Sequence, residues 1–338
     1  MNARRNSSAS AVHPLWLSLL TTLWLVTLPN WPLWRQLTAL PEVQGARGVL
    51  FTLGMGVAIW AITLMLTLML GWSRLLKPLL SLLVISAAAG AYFMFSYGVV
   101  IDATMITNVM QTDPREAADL LNWRMVLALL LLAGLPLWVI WRTPLRKLGW
   151  RRALVSQLGG MVVCALVTVL CLMAIFQDFA SIMRNHTQMR YLINPLNSFY
   201  AIGRVAAQPL ERDQSKVEPI GQNAQLALPA GASPATLIVV VGETARAGNF
   251  GINGYERNTT PRLAREDIVS RLNVWSCGTS TATSLPCMFS HLGKDAYEKR
   301  SSNHESLVDV LQHAGLAVLW IDNQSGCKGV CARVPSVS

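Results

Sequence analysis

The sequence predicts a five-helix transmembrane bundle followed by an incomplete α/β extracytoplasmic domain, and three observations carry that expectation. Of 338 residues, 52% are hydrophobic and only 14% charged, whereas soluble domains carry about a quarter charged residues. Five long apolar runs fill the first half of the chain. Beyond residue 234 the pattern changes to short β-branched runs alternating with helical stretches, which is the signature of an α/β fold. The chain therefore divides into an anchor (1–176), a surface bridge with a linker (177–234) and the opening part of an outer domain (235–338).

The five runs are Leu15–Trp34, Val49–Trp72, Pro78–Val100, Met125–Trp141 and Ala153–Phe176. Each approaches the roughly 20 apolar residues that a span requires. Pro29 and Pro32 blur the end of the first, and the fourth is short. No run contains an Asp, Glu, Lys, Arg or His in its interior, which argues against a transporter, since ion and proton pathways place such groups at membrane depth. No small-residue cleavage site follows the first run, so it reads as a span and not as a signal peptide.

Orientation follows from the loops. Arg4 and Arg5 precede the first run, Arg74 and Lys77 separate the second from the third, and Arg142, Arg146, Lys147, Arg151 and Arg152 separate the fourth from the fifth. The alternate loops hold Arg35 and Arg47, then Arg115 and Arg124. By the positive-inside rule the N-terminus is cytoplasmic and everything after Phe176 lies outside. The net charge of +10 thus has a topological cause, and no nucleic-acid partner is expected. Cys164 and Cys171 sit within the fifth run as apolar side chains, while Cys277, Cys287, Cys327 and Cys331 are all outside. Four cysteines in an oxidising compartment fit two disulfides, with three possible connectivities. Local pairing, Cys277–Cys287 and Cys327–Cys331, is the preferred one, and a four-cysteine zinc site is the rival.

Residues 177–204 are amphipathic, as expected of a bridge along the membrane surface, and 206–234 are rich in Gln, Ala, Pro and Gly, like a linker. Thr236–Val241 reads as a strand buried on both faces, and Ala317–Ile321 as a second. Helical stretches are expected at Pro261–Glu266, Ser284–Leu292 and Ser306–Ala314. Ligands of open α/β sheets bind beyond the carboxyl ends of strands, where Glu243, Asp322 and Asn323 stand. Glu243 suits a metal ligand, against a helix cap or an ion pair with Arg246. The run 277–287 (CGTSTATSLPC) reads as a helix N-terminus, which favours bound anions. A threonine hydroxyl there becomes a nucleophile if its pKa is lowered; otherwise it only caps the helix.

Residues 239–264 (VVVGETARAGNFGINGYERNTTPRLA), 276–293 (SCGTSTATSLPCMFSHLG) and 320–331 (WIDNQSGCKGVC) resemble the phosphoethanolamine transferases of Gram-negative inner membranes. So do 184–204 and 101–121. The family decorates lipid A and belongs to the alkaline phosphatase/sulfatase superfamily. The resemblance implies an alkaline phosphatase/sulfatase-like catalytic domain in the periplasm and a zinc cofactor. It also implies a phosphatidylethanolamine donor among the membrane lipids and a lipid A or related lipopolysaccharide acceptor. Glu243 matches a zinc ligand, and Thr281 matches both a zinc ligand and the nucleophile that carries phosphoethanolamine between two half-reactions. Lys328 matches a phosphate-side contact, and Ser325 a polar contact near it. Asn108, Thr112 and Glu116 match residues at the ethanolamine end; Asn108 and Thr112 would share a helical face, and Glu116 also fits a capping box after Asp113-Pro114. Modification of this kind would lower the negative charge of lipid A and weaken binding of polymyxin-like cationic peptides.

The family continues past the position matching Ser338, where it supplies an Asp-His pair and further histidines. Against a usual set of three or four zinc ligands, the chain offers Glu243 and Thr281, and His291, His304 and His313 read as solvent-facing or capping. Weak zinc binding and little transfer are the expectations for these 338 residues. A non-catalytic membrane remnant or partner is the alternative.

Overall fold

The computed structural model describes residues 11–112, 118, 120–211, 216–227, 236–242, 245–323 and 326–337. Glu116, Glu243 and Ser325 lie outside the described residues. The chain forms two compact units: Met1–Val109 with Pro114–Ala207, and Met110–Asp113 with Gln208–Ser338.

The first unit is helical: α1 (Pro14–Val26), α2 (Trp31–Thr38), α3 (Gly45–Leu70), α4 (Leu76–Tyr97), α5 (Ala103–Gln111), α6 (Trp123–Arg142), α7 (Trp150–Ala174), α8 (Phe176–Asn185) and α9 (Leu196–Glu211). Among the described residues, α3, α4, α6 and α7 are long and apolar enough to cross a membrane. The first predicted span is not one helix. It is α1 and α2 joined by a 3-10 turn at Leu28–Asn30. Pro29 and Pro32 have no N–H to offer the carbonyls of Leu25 and Leu28 four residues back, so the helix breaks there.

Side chains repair the break. Asn30 Nδ2 donates to the Leu25 carbonyl at 2.8 Å, Trp34 Nε1 to that of Val26 at 2.7 Å, and the Trp31 N–H to that of Leu28. Asn194 locks onto the same place: its N–H donates to Asn30 Oδ1 at 2.9 Å, and its Nδ2 reaches the carbonyls of Pro29 at 3.1 Å and Ala87 at 2.6 Å. Helix α6 repeats the device. Pro136 leaves the Leu132 carbonyl without its helical donor beside a π turn (Leu130–Gly134), and Trp24 Nε1 supplies one at 3.0 Å. Away from water, every freed backbone group needs such a partner.

Packing follows residue size. Phe51, Met55 and Ile59 of α3 meet Leu33, Leu37 and Ile182, while Leu80, Val84 and Ala87 of α4 meet Leu17, Leu25 and Ile140. Between α3 and α7 the approach is close: a methyl at Gly160 would lie 2.8 Å from Leu68 Cδ1, as at other small-residue helix interfaces in membranes. The outer face of α7 leaves Val155, Val162, Leu166 and Leu170 exposed, a surface suited to lipid.

Two groups of contacts mark the ends of the bundle. At one end, Val12 and Leu145 form a bridge, Lys77 Nζ donates to the Trp141 carbonyl at 3.3 Å, and Gln157 Nε2 to that of Gly71 at 3.2 Å. At the other, Tyr92 pairs with Asn122 at 3.1 Å, Arg47 with Asp178 at 2.9 Å, and Asn197 Nδ2 with the Ile101 carbonyl at 2.6 Å.

The second unit has less regular structure. β1 (Val217–Glu218) pairs in parallel with β2 (Asn303–His304), and β3 (Trp320–Ile321) with β4 (Ser336–Val337). Its helices include α10 (Thr281–Met288), α11 (Lys294–Lys299) and α12 (Leu307–His313). Leu285, Val308, Val330 and Val334 form its core, with Phe289, Val318 and Trp320 against them. The expected strand Thr236–Val241 is not one: it is irregular, pairs with no described residue, and leaves Leu237 84% and Val240 86% exposed. A doubly buried strand requires neighbours on both edges and covering helices, which the run itself does not provide. Likewise Ala317–Ile321 is strand only at Trp320–Ile321, and Pro261–Glu266 is a 3-10 turn at Leu263–Arg265.

Candidate active site

Thr281 is the first residue of α10. The preceding Ser280 is buried, and its carbonyl accepts from the N–H groups of Thr283 at 3.0 Å and Ser284 at 2.8 Å, closing the first turn. A disulfide joins Cys277 to Cys287, with Cα atoms 6.3 Å apart, and so ties the approach to the helix to its last turn. Leu285 and Cys287 bury one face. Thr281 is half-buried at the N-terminal end of this anchored helix, one turn before Leu285.

The turn after β3 is held in the same way. Cys327 and Cys331 are disulfide-bonded, with Cα atoms 5.7 Å apart, and both pack against the core through Val330. Gly326 and Gly329 have φ of 88° and 90°, and Lys328 between them has φ of 49°. A side chain in this left-handed region costs on the order of 1 kcal/mol. Lys328 accordingly sits where glycine would be easier.

Both elements open onto one cavity of about 420 Å³. Ala282 and Pro286 line it from α10, Lys328 from the turn, and Arg300, His304 and Arg333 from the rest of the unit. Lys328 therefore shares a cavity with the residue next to Thr281. Asn108 lies on α5, which ends at Gln111, so Thr112 is the first residue beyond the helix and not a further position on its face. They also belong to different units, Asn108 to the first and Thr112, within Met110–Asp113, to the second.

Several groups around the cavity escaped sequence reasoning. Arg333 clasps the buried Asp309 with two hydrogen bonds, 2.7 Å from Nε and 2.6 Å from Nη2. Asp309 also accepts from the Ser306 N–H at 2.6 Å and hydroxyl at 2.7 Å. Burial pushes the Asp309 carboxyl up, but the Arg333 guanidinium and Ser306 together hold it below the usual carboxylate range. The same pair keeps Arg333 firmly charged. His304 contacts Glu218 at 3.2 Å and stacks edge-on to His291 at 4.9 Å. His313 contacts Glu305 at 2.9 Å, and this hydrogen bond is the main cause of a lowered Glu305 pKa. His304 and His313 are thus engaged with acids and not simply solvent-facing, while His291 meets the His304 ring. Position in sequence carries no sign of these pairings, since the β1–β2 ladder joins segments 86 residues apart at Val217 and Asn303.

Among the described residues no three His, Cys, Asp or Glu side chains gather as a metal-binding group. Thr281 is the one described member of the zinc set that the resemblance implies, so the described residues do not by themselves compose a zinc site.

Comparison with known proteins places these features in a family. Residues 59–210 match the family described as phosphoethanolamine transferase EptA/EptB, and residues 235–337 match the sulfatase family. The phosphatidylethanolamine transferase Mcr-1 of Escherichia coli is 37% identical over 291 residues, covering 84% of this chain and 54% of the relative. The phosphoethanolamine transferase EptA of Escherichia coli O157:H7 is 35% identical over 312 residues, covering 88% and 55%. The solved integral membrane lipooligosaccharide phosphoethanolamine transferase A of Neisseria meningitidis superposes with a TM-score of 0.87 at 30% identity, covering 95% of this chain and 60% of that one. The chain spans about half the length of the curated relatives it matches.

Proposed function

Because the chain belongs to the phosphoethanolamine transferase family of EptA and Mcr-1, we propose that it acts in moving phosphoethanolamine from phosphatidylethanolamine to lipid A or a related lipopolysaccharide acceptor. The observation that carries this is the placement of Thr281 at the start of a disulfide-anchored helix whose next residue, Ala282, shares a cavity with Lys328.

In the first half-reaction the Thr281 oxygen attacks the donor's phosphorus, the bond from phosphorus to the diacylglycerol oxygen breaks, and diacylglycerol leaves with a proton. In the second, an acceptor phosphate oxygen attacks the phosphothreonine and the threonine oxygen is released. Lys328 and Ser325 hold phosphoryl oxygens, the lysine as a point charge. Asn108, Thr112 and Glu116 take the ethanolamine end. Zinc, when bound at Glu243 and Thr281, supplies a lowered hydroxyl pKa and positive charge beside the phosphoryl group.

The contacts at the two ends of the bundle support five crossings with a cytoplasmic N-terminus in the Gram-negative inner membrane. The composite α1–α2 then counts as a span, and the second unit lies in the periplasm. The test is expression of the chain and its Thr281→Ala variant in a lipid A background without other such transferases, read by mass spectrometry of lipid A. A phosphoethanolamine adduct present in the parent and reduced to background in the variant is the expected result. No adduct in either would leave a non-catalytic membrane protein as the better account, and an adduct at equal level in both would mean that transfer does not run through Thr281.

A further inference from the structure

We infer that the first unit carries its own lipid-headgroup site, a pocket of about 520 Å³ at the end of the bundle that receives the phosphate of a zwitterionic phospholipid on Arg190 and Arg204. The identity of the lipid rests on the donor proposed above; the site itself rests on the geometry alone.

Asp102, Arg190, Tyr191, Asn197, Tyr200 and Arg204 line the pocket, and all belong to one compact unit. Its walls are fixed from beneath. Asn197 is buried, and its Nδ2 ties the Ile101 carbonyl at 2.6 Å and that of Tyr191 at 3.1 Å. This joins the stretch after α4 to the stretch before α9. Asp102 Oδ1 accepts from the Met105 N–H at 2.8 Å and so starts α5 at the pocket's edge.

The charges on this frame lack internal partners. Arg190 donates to the Tyr191 hydroxyl at 2.8 Å and lies over its ring at 4.8 Å; that contact orients the guanidinium without neutralising it. Arg204 is exposed. Among the described residues neither arginine reaches a carboxylate at ion-pair distance. Two guanidiniums without a carboxylate partner in one pocket lining, with Tyr191 and Tyr200, match a phosphate at the membrane–water boundary, where tyrosines settle. A forked guanidinium binds phosphate oxygens in pairs. The Asp102 carboxylate in the same lining complements a headgroup that also bears an ammonium, and disfavours one that is only anionic.

The pocket lies at the end marked by the Asn197–Ile101 and Arg47–Asp178 contacts, away from the end marked by Val12 and Leu145. It is therefore open to one leaflet, the outer one in the orientation proposed above. A lipid held here would be a resident of that leaflet, retained on the anchor independently of any chemistry.

The test uses the full chain purified in maltoside detergent, with lipid binding followed by native mass spectrometry. Phosphatidylethanolamine, phosphatidylglycerol and inorganic phosphate are the probes. The expected result is saturable binding of phosphatidylethanolamine in preference to phosphatidylglycerol, weakened about tenfold or more by Arg190→Gln with Arg204→Gln. The Lys pair at the same positions, which keeps the charge and loses the fork, should bind between the parent and the Gln pair, which separates loss of charge from loss of fold. Asp102→Asn should erase the preference between the two lipids. Unchanged binding in the Gln pair would overturn the site. Equal affinity for both lipids in the parent would overturn the zwitterion assignment, and competition by inorganic phosphate at equal strength would replace the headgroup with a free anion. Transfer activity is not the readout, so an inactive but lipid-binding chain would count against the proposed reaction and leave this site standing.

Discussion

Asp309 is 2% exposed and ionised against the tendency of burial, because Arg333 and Ser306 spend hydrogen bonds on its charged form. Asp309→Asn should therefore lower stability by about 2–3 kcal/mol, less than the ~3–5 of a fully buried pair because the guanidinium remains a third exposed; thermal unfolding of the purified chain reads it. A carboxyl whose folded pKa is depressed contributes stability that is present above the unfolded value and lost as pH falls through the folded one. The Asp309 contribution should accordingly be intact at neutral pH and disappear in acid below the ordinary carboxylate range, with the Asn variant showing a flatter acid limb. Lys328 makes the opposite case, a residue kept at some conformational cost. Lys328→Gly would relieve its left-handed φ of 49° and should leave melting unchanged or slightly raised, while transfer falls if the ammonium holds phosphate as proposed. A variant that lost stability and activity together would make Lys328 a structural residue instead. Lys328 was legible in the sequence through a family pattern; Asp309 and Arg333 were not, since residues 24 apart become partners only through the fold.

At the scale of elements, long apolar runs announced themselves because length and the absence of charge are local properties. α3, α4, α6 and α7 all lie within or around runs chosen on that ground. Short runs did worse. TLIVVV has the composition of a buried strand and no partner among the described residues, since pairing is decided by what stands alongside. The first span lay between these cases: Pro29 and Pro32 signalled trouble in the sequence, but only the structure shows Asn30 and Asn194 mending it. Asn30 is buried and gives its amide hydrogens to the carbonyls of Leu25 and Asn194, the first of which lost its helical donor to Pro29. Asn30→Leu keeps the volume nearly constant and removes those donors, leaving buried carbonyls unpaired at about 1–3 kcal/mol each. A clear fall in the melting temperature of the detergent-solubilised chain is expected. Asn194→Leu should give a similar fall, and the double variant less than the sum, because both amides serve one network. Additive losses would mean the two asparagines act separately.

For the whole molecule the question is how many times the chain crosses the bilayer, since that decides on which side Thr281 and Lys328 stand. Among the described residues before Gly45 no helix is long enough to cross alone: α1 has 13 residues and α2 has 8, or about 20 Å and 12 Å at 1.5 Å per residue against a hydrocarbon core of about 30 Å. Taken together the two cover that distance, as the proposed topology has them do, and the contacts support it. The segment begins at Val12, bridged to Leu145, and ends by handing over to α3 near Arg47, which pairs with Asp178 beyond α7. Lys77 and Gly71 gather with the first of these pairs, Asn122 and Ile101 with the second. The proposed five crossings agree with these contacts, whereas four would put Val12 and Leu145 on different sides. Basic residues concentrate on the Leu145 side, which is the ground for the proposed cytoplasmic placement of that end. Single cysteines at the exposed positions Ala46 and Lys147 test both conclusions, since the native thiols are either disulfide-bonded or within α7. In intact spheroplasts, Ala46→Cys should react with a membrane-impermeant maleimide and Lys147→Cys only after permeabilisation. A third cysteine at the exposed Ala11 should follow Lys147. Labelling of Ala11→Cys together with Ala46→Cys would mean that the proline-broken segment turns back without crossing. Labelling of Lys147→Cys alone would invert the bundle and place the candidate site in the cytoplasm, away from any acceptor on the outer leaflet.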